Sequence, residues 1–177
     1  SAVDGNGDQY RASYLGGHFG GSCDGFVKRV IDEDPEQVLV FEAKSANNTR
    51  FNALVKLEDY QAWSKTYQWQ IHCYMGCFDL KKTMVVVMNK NNSQIYSEII
   101  DFNPEIWEQA QEKAKRIISS DKPSAGLNET DWRLKNETEQ YRGTYLGHRL
   151  PPSVNCRNCD SCKPDMESDK AAWHCSR

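Results

Sequence analysis

The run Thr-Met-Val-Val-Val-Met-Asn at 83–89 restricts the fold more than any other stretch of this chain. It is too short for an ordinary helix, rich in β-branched and apolar side chains, and closed by the turn Lys90-Asn-Asn-Ser, so it reads as a buried strand. Residues 37–44 begin with a similar apolar run and read as a second strand in a central position. Between them, Leu57, Tyr60, Tyr67, Ile71, Tyr74 and Phe78 recur at three- and four-residue intervals, which predicts one long helix over 57–78. Asn47 to Arg50 read as the break before it. Residues 94–102 form a further strand, and Asn103 caps a helix with Pro104 at its first position and Ile106, Ala110 and Ile117 on one face. That helix should end near Ser120. Upstream, 10–14 and 25–31 read as strands and 32–36 as the turn that follows. The order strand, strand, strand, helix, strand, strand, helix predicts an α/β protein with a central mixed sheet flanked by helices, because strands joined by tight turns must run antiparallel.

The 177 residues suffice for one domain with a real core and a small appendage. We expect a core over 1–120, an irregular arm over 121–155 with a short helix near 129–141, and a cysteine-rich tail over 156–177 packed on the core. A hydrophobic fraction of 38% and a charged fraction of 27% suit a soluble globular chain. No apolar run is long enough to cross a membrane and no signal segment is visible, so a cytoplasmic location and a reducing compartment are expected. The net charge of −3 is not that of a strongly basic nucleic-acid binder, but an acidic metal site lowers the formal charge while its cations restore positive potential locally.

The chemistry gathers around Gly21-Ser22-Cys23-Asp24 and Phe41-Glu42-Ala43-Lys44. Side chains alternate faces along a strand, so Glu42 and Lys44 share a face, and Ala43 is expected to point into the fold. Charges at the end of so apolar a strand call for a reason. Two acids and a lysine beside one another suit a divalent cation and a reacting phosphate, since oxygen ligands favour Mg²⁺ or Mn²⁺. Taken alone, Asp24 before Gly25 would be a turn residue. The glycines at 16, 17, 20 and 21 imply backbone approaches that a side chain would forbid.

Asp24 in Gly-x-x-Asp, then Glu42-x-Lys44, then Gln70-x-x-x-Tyr74 on the following helix resembles the PD-(D/E)XK nuclease superfamily, and within it the RecB-like exonuclease branch found in phages and in CRISPR adaptation. Each motif alone is weak; three in order on the right elements, over roughly residues 10–120, are specific. The resemblance implies a restriction-endonuclease-like core and a Mg²⁺- or Mn²⁺-dependent exonuclease that hydrolyses DNA phosphodiesters. Asp24, Glu42 and the Ala43 carbonyl would hold the metal. Lys44 would contact the attacking water or the phosphate, and Gln70 and Tyr74 would place the metal shell or the strand. The branch also carries an acid or histidine on an upstream helix. No such helix is read before Asp24, and His18 is the further candidate for metal or DNA contact.

Of seven cysteines, Cys23, Cys73 and Cys77 read as small buried side chains. Cys156, Cys159, Cys162 and Cys175 have ligand spacing and could close a structural Zn²⁺ site, with His174 as an alternative ligand. Relatives in this branch use C-terminal cysteines for a [4Fe–4S] cluster, which is the alternative cofactor; four cysteines together in the tail fit zinc better. Trp63, Lys65, Tyr67 and Trp69, with Arg50, Arg133, Lys135, Arg142, Arg149 and Arg157, offer stacking and phosphate contacts for single-stranded DNA or linear duplex ends. A protein partner in recombination or phage replication, in a bacterial or phage-infected cell, is also expected. The rival reading is a catalytically inactive nucleic-acid-binding or recombination-accessory module held by zinc.

Overall fold

The computed structural model describes residues 3–28, 37–120, 128–131, 134, 139–146, 148 and 159–176. Strands β1 (Arg11–Tyr14) and β2 (Phe19–Ser22) form an antiparallel pair. Strands β3 (Gly25–Lys28), β4 (Val38–Ala46), β5 (Lys82–Asn89) and β6 (Ile95–Asp101) form one sheet in that order. β3/β4 and β5/β6 are antiparallel and β4/β5 parallel, so the sheet is mixed. A parallel pair needs a long crossover. Here it is helical: α1 (Asn48–Leu57), α2 (Tyr60–Trp63) and α3 (Lys65–Phe78). Helices α4 (Pro104–Ser119) and α5 (Glu139–Tyr145) follow, then the small antiparallel pair β7 (Cys162–Pro164) and β8 (Trp173–Cys175). The chain is therefore α/β with a central mixed four-stranded sheet flanked by helices, as the strand and helix order predicts.

The crossover departs from the single helix expected over 57–78. α1 starts at the Asn47–Arg50 segment expected to break the pattern, because the Asn47 side chain accepts from Arg50 N and caps it. It ends at Glu58, a non-glycine residue at φ 51°. The Asp59 side chain accepts from Ala62 N to start α2, and the extended Ser64 accepts from Tyr67 N to start α3. Apolar spacing runs through all three pieces; only the caps mark the breaks. The short helix expected near 129–141 lies at 139–145 instead, and 128–131 is a turn in which Asp131 N donates to Asn128 O. The turn expected at 32–36 lies outside the described residues.

One sheet face carries Val40, Val85, Val87 and Ile100 against Phe51, Leu54, Ile71 and Met75 of the crossover helices. The other face is only partly open: Leu39 is buried on it, while Met88, Ile95 and Ile99 are 44%, 68% and 37% exposed, and Met88 lies opposite Ile95. β5 is central in strand order but buried along one face, not both. The alternation on β4 also runs opposite to expectation at the site: Glu42 is buried and Ala43 is exposed.

The glycine-rich stretch contains β2 and a sharp turn. Gly16 and Gly17 have φ of 65° and 84°, and a Cβ on Gly16 would lie 2.5 Å from both Asp165 O and Ser168 O. The tail packs directly on this turn. Ala171 N donates to Gly16 O at 2.7 Å.

Candidate functional site

Asp24 sits immediately before β3, and the register Gly25↔Phe41 brings it beside the middle of β4. Its Oδ2 accepts from Ala43 N at 2.8 Å. Glu42 is 2% exposed: its Oε1 pairs with Lys44 Nζ, and its Oε2 is buried with no hydrogen-bond partner. Burial pushes the Glu42 carboxyl up, the Lys44 hydrogen bond and charge pull it down, and Asp24 adds a smaller upward push. Lys44 Nζ also stands 5.1 Å from the Tyr67 ring centroid. The sheet thus brings Asp24, Glu42 and Lys44 to one end of the β3/β4 pair.

Tyr74 and Gln70 reach the site indirectly. Tyr74 OH donates to Ser22 O at 2.6 Å, and Gln70 Nε2 donates to Tyr74 OH at 3.1 Å. Gly21 makes room, since a Cβ there would lie 3.3 Å from the Tyr74 ring. The helical pair therefore holds the backbone two residues before Asp24.

Two residues that no motif marks belong to the same place. Tyr60 is fully buried, its hydroxyl has no partner, and burial followed by the Glu42 charge raises its phenol well above the usual range. Glu98 lies in the same cross-strand row as Glu42, because both are register partners of Val85. Its Oε2 accepts from Tyr60 N at 2.9 Å and from Tyr96 OH at 2.6 Å. Parity along 94–102 places Glu98 on the face of Tyr96 and Ile100, which is the one signal the sequence carries for it.

His18 goes elsewhere. Its Nε2 lies 3.1 Å from Asp165 O and 3.0 Å from Ala172 O, so that nitrogen donates to tail carbonyls and is not available as a metal ligand. Its ring meets Trp173 edge-on at 5.3 Å. Trp69 also separates from its neighbours: Lys113 Nζ lies 5.7 Å from its ring, and it lines a cavity of about 270 Å³ with His18, Phe19, Cys73 and Ile117. Of the three cysteines expected to be buried, Cys23 is, whereas Cys73 and Cys77 are half-buried, and desolvation raises their thiols to about 11.

In the tail, Cys162 and Cys175 face each other across β7/β8. His174 Nε2 meets Asp165 Oδ2 at 3.1 Å. Cys156, Arg133, Lys135, Arg149 and Arg157 lie outside the described residues. Among the described residues no three His, Cys, Asp or Glu side chains converge as a metal group, at either Asp24/Glu42 or the tail. No described helix is long and apolar enough to cross a membrane. No protein-family model, curated protein or solved structure matches this chain.

Proposed function

We propose that this chain is a divalent-metal-dependent deoxyribonuclease acting on DNA ends, with its site at Asp24, Glu42 and Lys44. The observation that carries the reading is Glu42 Oε2, a carboxylate oxygen buried without a partner beside a second acid and a lysine. An ionised buried carboxylate is costly unless its lone pairs are used. A Mg²⁺ or Mn²⁺ ion fits this donor set of two carboxylates and a backbone carbonyl, and would be held by Asp24, Glu42 and the Ala43 carbonyl. When bound, such an ion lowers the pKa of a water and stabilises charge on the departing oxygen.

The chain's own residues do the rest. Lys44 is held by Glu42 and the Tyr67 face, where it can meet a phosphate oxygen or orient the attacking water. Asp24 is fixed by Ala43 N, and the segment before it by Tyr74 and Gln70. Tyr60 fills the wall behind Glu42 and excludes solvent. For the tail, Zn²⁺ on Cys156, Cys159, Cys162 and Cys175 remains a proposal from spacing, with [4Fe–4S] distinguished by absorption near ~400 nm.

The accessory-module reading is favoured by the absence of a third converging acid among the described residues. Degradation of labelled linear single- and double-stranded DNA with Mg²⁺ or Mn²⁺ decides between them. We expect Lys44→Ala to lower the rate at least ~100-fold, the scale of removing one transition-state donor. Equal activity in the variant, or none in either protein, would overturn the enzymatic reading.

A further inference from the structure

Lys44 is the inner end of a continuous strip of cations and aromatic rings that leads away from the site. Its Nζ stands over Tyr67 at 5.1 Å. Tyr67 is 5.8 Å from Trp63, and both rings meet Tyr60 beneath them at 6.0 and 5.9 Å. Arg50 lies over Trp63 at 4.9 Å, and the Trp63 indole N–H donates to Arg50 O at 3.0 Å, which fixes the outer ring. Tyr60 is fully buried and Trp63 and Tyr67 are half-buried, so the strip has a rigid floor and an accessible upper surface. Arg50 is exposed and makes no salt bridge to a described residue. Trp69, two residues beyond Tyr67, faces the α4 side and takes no part.

Two adjoining half-exposed rings between an exposed cation, Arg50, and Lys44, which is paired with Glu42 in the site, match the chemistry of one strand of a polynucleotide. Unpaired bases offer faces for stacking, and the backbone offers a phosphate at each step. A duplex hides its base faces and cannot use Trp63 or Tyr67. We infer that the Arg50–Trp63–Tyr67–Lys44 strip is a single-strand binding track that delivers an unpaired DNA end to the site, with Arg50 taking a phosphate and Trp63 stacking on a base. This rests on the nuclease reading for its direction, and binding can be measured without it.

The test is fluorescence anisotropy of the full chain with a labelled oligothymidylate and with a blunt duplex, in Ca²⁺ and in EDTA. We expect the single strand to bind more tightly than the duplex. Trp63→Ala and Arg50→Ala should each weaken single-strand binding roughly tenfold while leaving duplex binding unchanged. Trp63→Phe keeps a ring and the packing, so it should retain most of the affinity, which separates stacking from a folding defect. Tryptophan fluorescence should be quenched by the oligonucleotide in the natural chain and much less in Trp63→Phe. Unchanged single-strand affinity in a folded Trp63→Ala, or equal losses for strand and duplex, would overturn the track. If Lys44→Ala abolishes cleavage while Trp63→Ala leaves binding intact, the track fails and the nuclease stands. If nothing is cleaved yet Trp63 governs single-strand binding, the nuclease reading fails and the track stands as a binding surface.

Discussion

Glu42 shows how one residue can be legible in type and misread in orientation. Its parity with Lys44 is a matter of strand geometry and holds. Which face is inward depends on what the helices cover, and that is a tertiary fact: the face of Val40, Glu42 and Val85 is roofed by α3, while Ala43 lies on the open side. If Glu42 binds a cation, Mn²⁺ at a hundred times its dissociation constant should stabilise the native state by about 2.7 kcal/mol and raise Tm by several degrees. Glu42→Gln should lose that shift in a thermal melt. His72 gives a prediction free of metal. It is fully buried, accepts from Asn103 N at Nδ1 and meets Gln61 Oε1 with Nε2 at 2.8 Å, and burial lowers its pKa. The unfolded chain therefore takes up the proton first, and the stability contributed by neutral His72 is present above the usual histidine range and lost as pH falls through the lower folded value. Urea melts from pH 8 to pH 5 should show that decline, and His72→Gln should flatten it.

At the scale of elements, β1, the four strands of the central sheet and α4 were readable because local signals and tertiary demands agree there, whereas β2, β7 and β8 were not read: Asn103 accepts from Glu105 N and Ile106 N, and Pro104 follows at the first position. Asn103→Ala should cost about 1 kcal/mol in denaturant unfolding. The crossover was misread because periodicity averages over a window and does not register a change of axis at Glu58 or Ser64. Gly76 on α3 shows which effect wins at a helix contact. Alanine would raise helix propensity by up to about 1 kcal/mol, but its Cβ would sit 2.3 Å from the Trp107 ring. Overpacking typically costs about 1–3 kcal/mol, so Gly76→Ala should lower Tm despite the better propensity.

For the whole molecule, the sequence led to the expectation of a tail packed on the core but not to the contacts that hold it there. Cysteine spacing spoke of a metal, whereas the described contacts are carbonyls, glycines and one histidine joining residues 147 and 154 positions apart. His18→Ala should loosen this clasp at about 0.5–1.5 kcal/mol for each part-buried hydrogen bond lost. Limited proteolysis should then cut the tail first.

The clasp also sets an order of events in time. β1 and β2 frame the backbone that carries Asp24, yet the turn between them is gripped by residues 165–172, which are synthesised long afterwards. Closing so long a loop costs only about 2 kcal/mol more than closing one a tenth its length, so the delay is kinetic rather than energetic. A chain still being made would carry Asp24 just behind an ungripped hairpin. The site would be completed only as residues 165–172 emerge and fold back onto the turn at Gly16 and Gly17.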